Sequence, residues 1–522
     1  LLAETLIASE IVQLGATIKQ KINAGEKIYN YTIGDFDSTQ FPIPNELQEA
    51  IIEAYNKGFT TYPAAEGETE LRNQVSRFME TQLGTKYATN EILIGAGGRP
   101  LIYATYRAIV DKGDKVIYPV PSWNNNHYVH FTEGEHILIE ATPENNFMPT
   151  AEQLRPYIKT ASLIALCSPL NPTGTTFKKQ ELEAICDLII EENKTRREDE
   201  KKLYLMYDQI YWTLTFGGAI HYNPVSLRPE MKEFTILIDG ISKSFAATGV
   251  RVGWAMGPAA VMAKMRSINS HVGAWAPMAE QHAVAGYFKN ETAVKKWFIH
   301  FKNEIAFRLD AIYAGIKKMA ESGLPIDAIP PQAAIYLTIQ INLVGRQTAK
   351  GILLKTQEDV TAYILNEARL AIVPFYAFGA SKKSIWYRLS VGCCKKEEIN
   401  EVLQMLKTAL EKTSKVEAIS KLQSVFSKEP NTEVIVKPLT YQQGDASVLQ
   451  KAILGYETPP GKRSYEMGTI VQNVATINAI ANALFEGEPL ISRVTTLNGD
   501  VANPKNLLVK IGTPIIDIIS QN

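Results

Sequence analysis

Five short apolar runs in the first half of the chain each stop at a polar or glycine turn. They are Glu91 to Gly95, Asp114 to Val120, Ala161 to Cys167, Leu203 to Asp208 and Ile236 to Asp239. A mostly apolar run of this length, closed by Gly, Pro or Asp, reads as a buried strand. Between them lie helical patterns, such as 99–110 and 178–194. Buried strands alternating with helices predict a mostly parallel, doubly wound α/β sheet. The residues able to do chemistry stand in the turns that end these strands.

The last run shows this most sharply. Ile236, Leu237 and Ile238 lead into Asp239 and Gly240, then Ser242-Lys243-Ser244, and Arg251 follows eight residues after the lysine. A lysine just past a buried strand end, in a weakly polar neighbourhood, loses its proton more readily than an exposed one. A neutral lysine amine condenses with an aldehyde. An arginine that stays charged suits a phosphate. An aldehyde and a phosphate together point to pyridoxal 5′-phosphate. Taken alone, the same string also suits an ordinary loop with a solvated lysine, so the rest of the chain has to supply the remaining parts of such a site.

It does so in order. The strand ending at Gly95 runs through Ala96, Gly97 and Gly98 into a helix, which leaves free N–H groups and a positive dipole end at one spot, an anion site. Pro100 replaces the last glycine of a dinucleotide fingerprint, so that reading is excluded. Trp123 follows Pro121-Ser122 and offers a flat indole for stacking or for core packing. Ser168 to Gly174 is a turn held by prolines and a glycine. Asp208 ends a mostly apolar run and so reads as a buried carboxylate that needs a partner. The histidines His127 and His130 lack an accompanying carboxylate or cysteine cluster, and no metal site is expected.

These strings resemble the fold-type I (class I and II) aminotransferases, of the aspartate aminotransferase kind, over residues 1–412. Ser242 to Gly253 matches that family's S-K-x-F-x-x-T-G-x-R-x-G, and Gly97-Gly98 its phosphate loop. Ser168 to Gly174 matches N-P-x-N-P-T-G, with Ser168 for the first Asn. Asp208 and Tyr211 match D-E-x-Y, with Gln209 for the Glu. Tyr62, Gly67 and Leu71-Arg72 match K-Y-x-x-x-x-G-x-x-x-L-R. The resemblance implies a large doubly wound domain (46–290), a smaller α+β domain (291–412) and an N-terminal segment packing with it (1–45). It implies that Lys243 carries pyridoxal phosphate and moves the substrate proton. Asp208 would meet the pyridine nitrogen, Asn171 and Tyr211 the phenolic oxygen, and Trp123 the ring face. Gly98, Arg99, Ser242 and Arg251 would bind the cofactor on its phosphate side. Tyr62 would reach the phosphate of a neighbouring subunit, which implies a homodimer. Gly34 and Arg388 would hold the substrate α-carboxylate, and Arg99 the distal carboxylate of aspartate or glutamate. Trp123, Trp212 and Trp275 would also suit an aromatic side chain.

The tail has a different character. After a polar linker at 413–430, residues 431–522 resemble a fragment of the C component of the Rnf electron-transport complex, itself related to the flavin-bearing subunit of respiratory complex I. The resemblance rests on Tyr441, Gly444, Gly468, Gln472 to Thr476, Gly487 to Leu490, Arg493-Val494 and Gly512 to Pro514. It implies an α/β to β-grasp-like fragment. The upstream flavin loops are absent and the tail has no cysteine, so no redox centre is expected there. Its partner is not readable.

At 522 residues the chain is long enough for two or three domains. A formal net charge of −1 gives no electrostatic case for nucleic acid or anionic membrane. No stretch is apolar for long enough to span a bilayer. The N-terminal LLAETLIASEIVQLG reads as an amphipathic helix, not a signal peptide, and its first residue is Leu, as in a truncated chain. Four cysteines in such a length suit a reducing cytoplasm. The expected activity is transfer of an amino group from an L-amino acid to a 2-oxo acid by ping-pong chemistry. The alternatives are a pyridoxal-phosphate lyase on the same fold, or an accessory subunit of a redox complex acting through the tail.

Overall fold

The apolar runs assemble into one seven-stranded sheet in a computed structural model that describes residues 2–6, 10–415, 424–426, 432–433, 435, 446–497 and 505–520. In chain order the strands are β1 (Tyr29–Asn30), β2 (Ile92–Gly95), β3 (Lys115–Val120), β4 (Glu135–Glu140), β5 (Ala161–Cys167), β6 (Tyr204–Asp208), β7 (Thr235–Gly240) and β8 (Gly253–Met256). The large sheet has the order β2-β8-β7-β6-β5-β3-β4. β8 runs against both its neighbours, and the other pairings are parallel. Successive side chains of a strand face opposite ways, and both faces here are covered. Ile164, Leu166, Leu205, Tyr207 and Leu237 belong to the core on one side. Leu163, Ala165, Met206, Ile236 and Ile238 belong to the core on the other.

The register brings the chemistry to one edge. Cys167 pairs with Asp208, and Asp208 with Ile238, so β5 and β6 end level and β7 runs two residues further. An open parallel sheet binds ligands outside the carboxyl ends of its strands. The turn at 168–174, Asp208 and the Ser242-Lys243 turn all leave from that edge.

Most helices fall where the sequence places them: Asn45–Asn56, Gly98–Ile109, Lys179–Thr195 and the long Glu291–Glu321. The charged stretch at 192–202, a pattern that suits a solvated loop, is anchored at its start. Glu192 and Arg196 form a buried ion pair, and Arg196 also donates to the carbonyls of Ile158 and Ala161 at the foot of β5. The guanidinium has enough donors to satisfy an acid and two carbonyls together.

A second sheet contains β9 (Ile326–Ala328), β10 (Tyr336–Ile341), β13 (Val373–Pro374) and β14 (Trp386–Ser390), in the order β13-β14-β10-β9. Two short strands lie between them in sequence, β11 (Arg346–Thr348) and β12 (Leu370–Ala371). The stretch from Ala368 to Gly379 reads as one strand in sequence but breaks into three pieces. β12 pairs with β1, β13 pairs with β14, and Phe375–Phe378 turns as a short 3-10 helix. Pro374 has no N–H with which to continue the ladder.

The chain divides into two units. One comprises 1–320, 325–344 and 354–410; the other comprises 321–324, 345–353 and 411–522. In the second unit β15 (Thr413–Lys415) pairs with β11, and β16 (Ser492–Leu497) pairs with β17 (Lys505–Lys510). Among the described residues from 446 onward Gln450 alone is buried, while Ile470, Val474, Leu484 and Phe485 stand exposed. Tyr441 and Gly444 lie outside the described residues. No described helix is long and apolar enough to cross a membrane.

Candidate active site

The strand end, glycine turn and helix start come together as follows. β2 ends at Gly95, and the helix Gly98–Ile109 begins after Gly97, whose φ is +85°. A side chain there would be strained, and its Cβ would run into Nη2 of Arg251. The Arg251 guanidinium therefore sits directly over the glycine. It donates to the carbonyls of Ala96 (2.8 Å) and Thr248 (2.5 Å). Arg251 itself has a left-handed φ of +63°. A Cβ on Gly253 would meet the Gly97 backbone at 2.7 Å, so the two chain segments touch. Free helix-start amides, dipole and guanidinium thus share one spot.

Lys243 leaves β7 on the helical turn Ile241–Ser244, beside the buried Ser242. Its Nζ donates to the Gly34 carbonyl. The rings of Phe36 and Tyr211 lie 5.5 and 5.9 Å from the amine. Burial lowers its pKa to about 8, the cations Arg388 and Arg99 add to this, and Asp35 opposes it.

Arg388 comes from β14 and is 2% exposed. Its Nη1 donates to the Asn171 side-chain oxygen (2.8 Å) and its Nη2 to the Thr32 carbonyl. The guanidinium is held between the rings of Tyr336 and Phe378, 4.8 Å from each. Its buried Nε has no partner among the described residues. Gly34 lies beside it: a Cβ there would be 3.7 Å from Nη1 and 2.8 Å from the Tyr336 hydroxyl. Gly34 is therefore the point where Lys243 and Arg388 meet.

Asp208 accepts from the Ile210 N–H at 3.0 Å, and burial pushes its carboxyl up to about 6. No cation is paired with it among the described residues. The Tyr211 hydroxyl meets that of Tyr336 at 2.5 Å. Trp123 stands at the cleft with Arg99 over its ring (5.5 Å) and Phe378 on its other flank (6.1 Å). Tyr62 is apart from all of these. It is 85% exposed and edge-on to Trp275. Trp212 does not face the cleft: its indole lies in the main core and donates to Asp239, which removes it from any substrate pocket.

Two residues of the cleft escape sequence reading, Tyr336 and Phe378. Both look like ordinary apolar positions of short strands. The one signal is a tyrosine inside an otherwise apolar run, and it says nothing about where the hydroxyl goes. The donor set suits pyridoxal phosphate. It offers an amine that can lose its proton, an unpaired acid on the strand edge, a glycine cradle under an arginine and an orphaned guanidinium N–H.

The comparisons agree. The family model for aminotransferase class I and II matches residues 26–406. An aspartate aminotransferase of Bacillus sp. (strain YM-2) is 30% identical over 381 residues, 72% of this chain and 91% of that protein. One from Rhizobium meliloti (strain 1021) is 28% identical over 410 residues, 78% and 94% of the two chains. The solved aspartate aminotransferase from Rhizobium meliloti superposes with a TM-score of 0.72 at 26% identity, covering 79% of this chain and 98% of that one. The aromatic aminotransferase from Pyrococcus horikoshii OT3 gives 0.65 at 26% identity, with 75% and 98% covered. A second model, the Nuo51 FMN-binding domain, matches residues 397–482. The chain belongs to the class I and II aminotransferases and is a pyridoxal-phosphate-dependent transaminase.

Proposed function

We propose that the cleft transfers the amino group of a dicarboxylic L-amino acid, aspartate or glutamate, to a 2-oxo acid, with each residue in the role its position allows. The observation that carries this is the meeting of Lys243 and Arg388 at Gly34. One side chain has an amine poised to lose its proton, and the other has a fixed fork for a carboxylate. An amino acid whose carboxylate is held by the fork presents its α-carbon to the amine.

Bound pyridoxal phosphate supplies an electron sink that stabilises charge at the substrate α-carbon. The chain's residues do the rest. Lys243 would be the attachment point for the cofactor, and its freed Nζ would serve as the base that moves the substrate α-proton. A pKa of about 8 leaves it part neutral near neutral pH. Asp208, left without a cation among the described residues, would pair with the pyridine nitrogen of the cofactor, and a protonated nitrogen there would hold its carboxylate charged. Asn171 gives its oxygen to Arg388, and its amide N–H groups remain for the phenolic oxygen, with Tyr211 beside them. Arg251, Ser242 and the amides of Gly98 and Arg99 would hold the phosphate, and Trp123 would cover the ring.

Arg388 takes the α-carboxylate as a bidentate pair. Arg99, at the exposed start of its helix, takes the distal carboxylate. The relatives' names support a dicarboxylic donor. Tyr62, a large side chain turned to solvent, supports a homodimer in which it reaches the partner's site. Four free thiols in 522 residues suit a reducing, cytoplasmic setting. The test is the visible spectrum of the purified protein before and after adding aspartate or glutamate. The expected result is a yellow band that bleaches with either donor and is lost in Lys243→Ala. A band that ignores both acids, yet bleaches with an aromatic amino acid, overturns the substrate assignment.

A further inference from the structure

Directly behind the site is a buried polar cluster that the mechanism above does not use. Asp239, Gln209 and Asn223 are each at most 1% exposed, and Trp212 is 9% exposed. The direction of every hydrogen bond in it is set by one backbone group. The Val225 N–H can only donate, and it does so to the Asn223 side-chain oxygen at 2.9 Å. Asn223 must then give its N–H to the Gln209 oxygen at 2.8 Å. Gln209 in turn must give its N–H to Asp239 at 3.3 Å. The same Asp239 oxygen accepts from the Trp212 indole at 2.8 Å, and the other accepts from the Gly240 N–H at 2.7 Å. The relay ends on an acid that receives three N–H groups, which favour its ionised form against the pull of burial.

The cluster also joins two turns. Gln209 stands between Asp208 and Tyr211 on the loop that leaves β6. Asp239 is the next-to-last residue of β7, four residues before Lys243. The Gln209 N–H reaches the Ile238 carbonyl at 3.0 Å, so backbone and side chain are both tied.

We infer that Asp239 is a positioning residue for the transamination site: its clasp with Gln209 and Trp212 fixes Lys243 relative to Asp208 and Tyr211, and it works because residue 209 is an amide rather than an acid. This rests on the roles proposed above for Lys243, Asp208 and Tyr211. A glutamate at 209 would set a second buried carboxylate 3.3 Å from the first, with no cation to separate them. Burial already pushes the Asp239 carboxyl up to about 8, and the nearby Asp208 pushes the same way. One negative charge fits the clasp and two do not.

The experiment is a cycle of Gln209→Glu, Asp239→Asn and the double variant in the full chain. Thermal unfolding is read without cofactor, and kcat and KM with cofactor. Gln209→Glu is expected to lower Tm by at least about 3 °C and kcat by about tenfold, with KM for the amino acid little changed, because Arg388 lies outside the clasp. Asp239→Asn lowers Tm in the wild-type background but raises it in the Gln209→Glu background, where it removes one of two facing acids that cannot both ionise. The double variant regains about threefold or more in kcat over Gln209→Glu. A double variant that folds where Gln209→Glu does not is the same result in stronger form. Effects that simply add overturn the clasp, and so does a double variant that fails to fold. A rescued Tm with kcat untouched throughout overturns the positioning role and leaves a folding contact. If wild type shows no transamination, the functional reading fails, and the cofactor-free Tm cycle still reports whether the clasp exists.

Discussion

Lys243 should make the cofactor-free protein less stable than it would be without it. An unperturbed lysine titrates near 10.4, and burial brings Lys243 to about 8. The folded state thus holds this proton less tightly than the unfolded chain. At about 1.4 kcal/mol per tenfold change in proton affinity, the difference is ~3 kcal/mol. Below pH 8 both states carry the proton and the folded state bears the whole penalty. Between about 8 and 10.4 the unfolded chain binds more protons, so stability rises with pH. Lys243→Met keeps the length and removes the charge, at the loss of one donation to the Gly34 carbonyl, about 1 kcal/mol. The expected outcome is a variant more stable than wild type by ~2 kcal/mol at pH 7, with the gap closing by pH 10. Denaturant midpoints of both cofactor-free proteins, measured at pH 7, 8, 9 and 10, read this directly. A gap that does not change with pH, or a variant that is weaker at pH 7, would refute the reasoning. The stabilised variant is expected to be inactive, which makes this an instance of stability given up at a working site.

Three more outcomes follow from the cleft and the tail. Arg388→Lys loses the fork to Asn171 and Thr32 and the seat between two rings. KM for the amino acid should rise about 10- to 100-fold, while the spectrum of the loaded protein stays normal. Gly97→Ala forces a left-handed alanine and pushes Arg251 off the loop. Cofactor affinity, measured by titrating stripped protein, should weaken about tenfold while KM for the amino acid changes little. A chain stopped after Lys415 keeps β15 on β11 but loses a segment that among its described residues buries one side chain, Gln450. Its kcat and main unfolding temperature should match those of the full chain, and a lost activity would show that the tail takes part.

The large sheet was legible because its strands are buried on both faces, so they read as continuous apolar runs. Lys243, Arg251 and the glycine loop were legible because each acts through local backbone: a strand end, a tight turn, a helix start. Tyr336 was not. In Ala333 to Ile341 a tyrosine is simply a residue that favours strands. Its hydroxyl finds Tyr211, 125 residues away, only once β10 is set against the large sheet's edge. Phe378 was hidden in an apolar stretch that has the pattern of one strand, which Pro374 interrupts. The pairing of Gln209 with Asp239 was out of reach for the same reason. The string D-Q-x-Y shows that an amide stands at 209, but the acid that suits it sits thirty residues on, in the neighbouring strand.

The cations of the cleft explain one another. Lys243, Arg99, Arg251 and Arg388 are near enough that Arg388 and Arg99 depress the lysine, and Arg99 adds to the burial that lowers Arg251. Against them stand Asp35 and Asp208. Such a surplus is unfavourable until anions arrive, so the cleft selects for negative charge before it selects for shape. The two arginines proposed for the substrate differ in kind. Arg388 is clamped between two rings and tied to Asn171 and Thr32, so it can serve only a group that every amino acid places identically, the α-carboxylate. Arg99 is exposed, with Trp123 beneath it, and its long side chain can turn toward a second carboxylate or away from it. In the proposed roles, fixed charge would thus meet the constant part of the substrate and the exposed charge its variable part. On this reading, relatives named for aspartate and for aromatic substrates can share one cleft geometry.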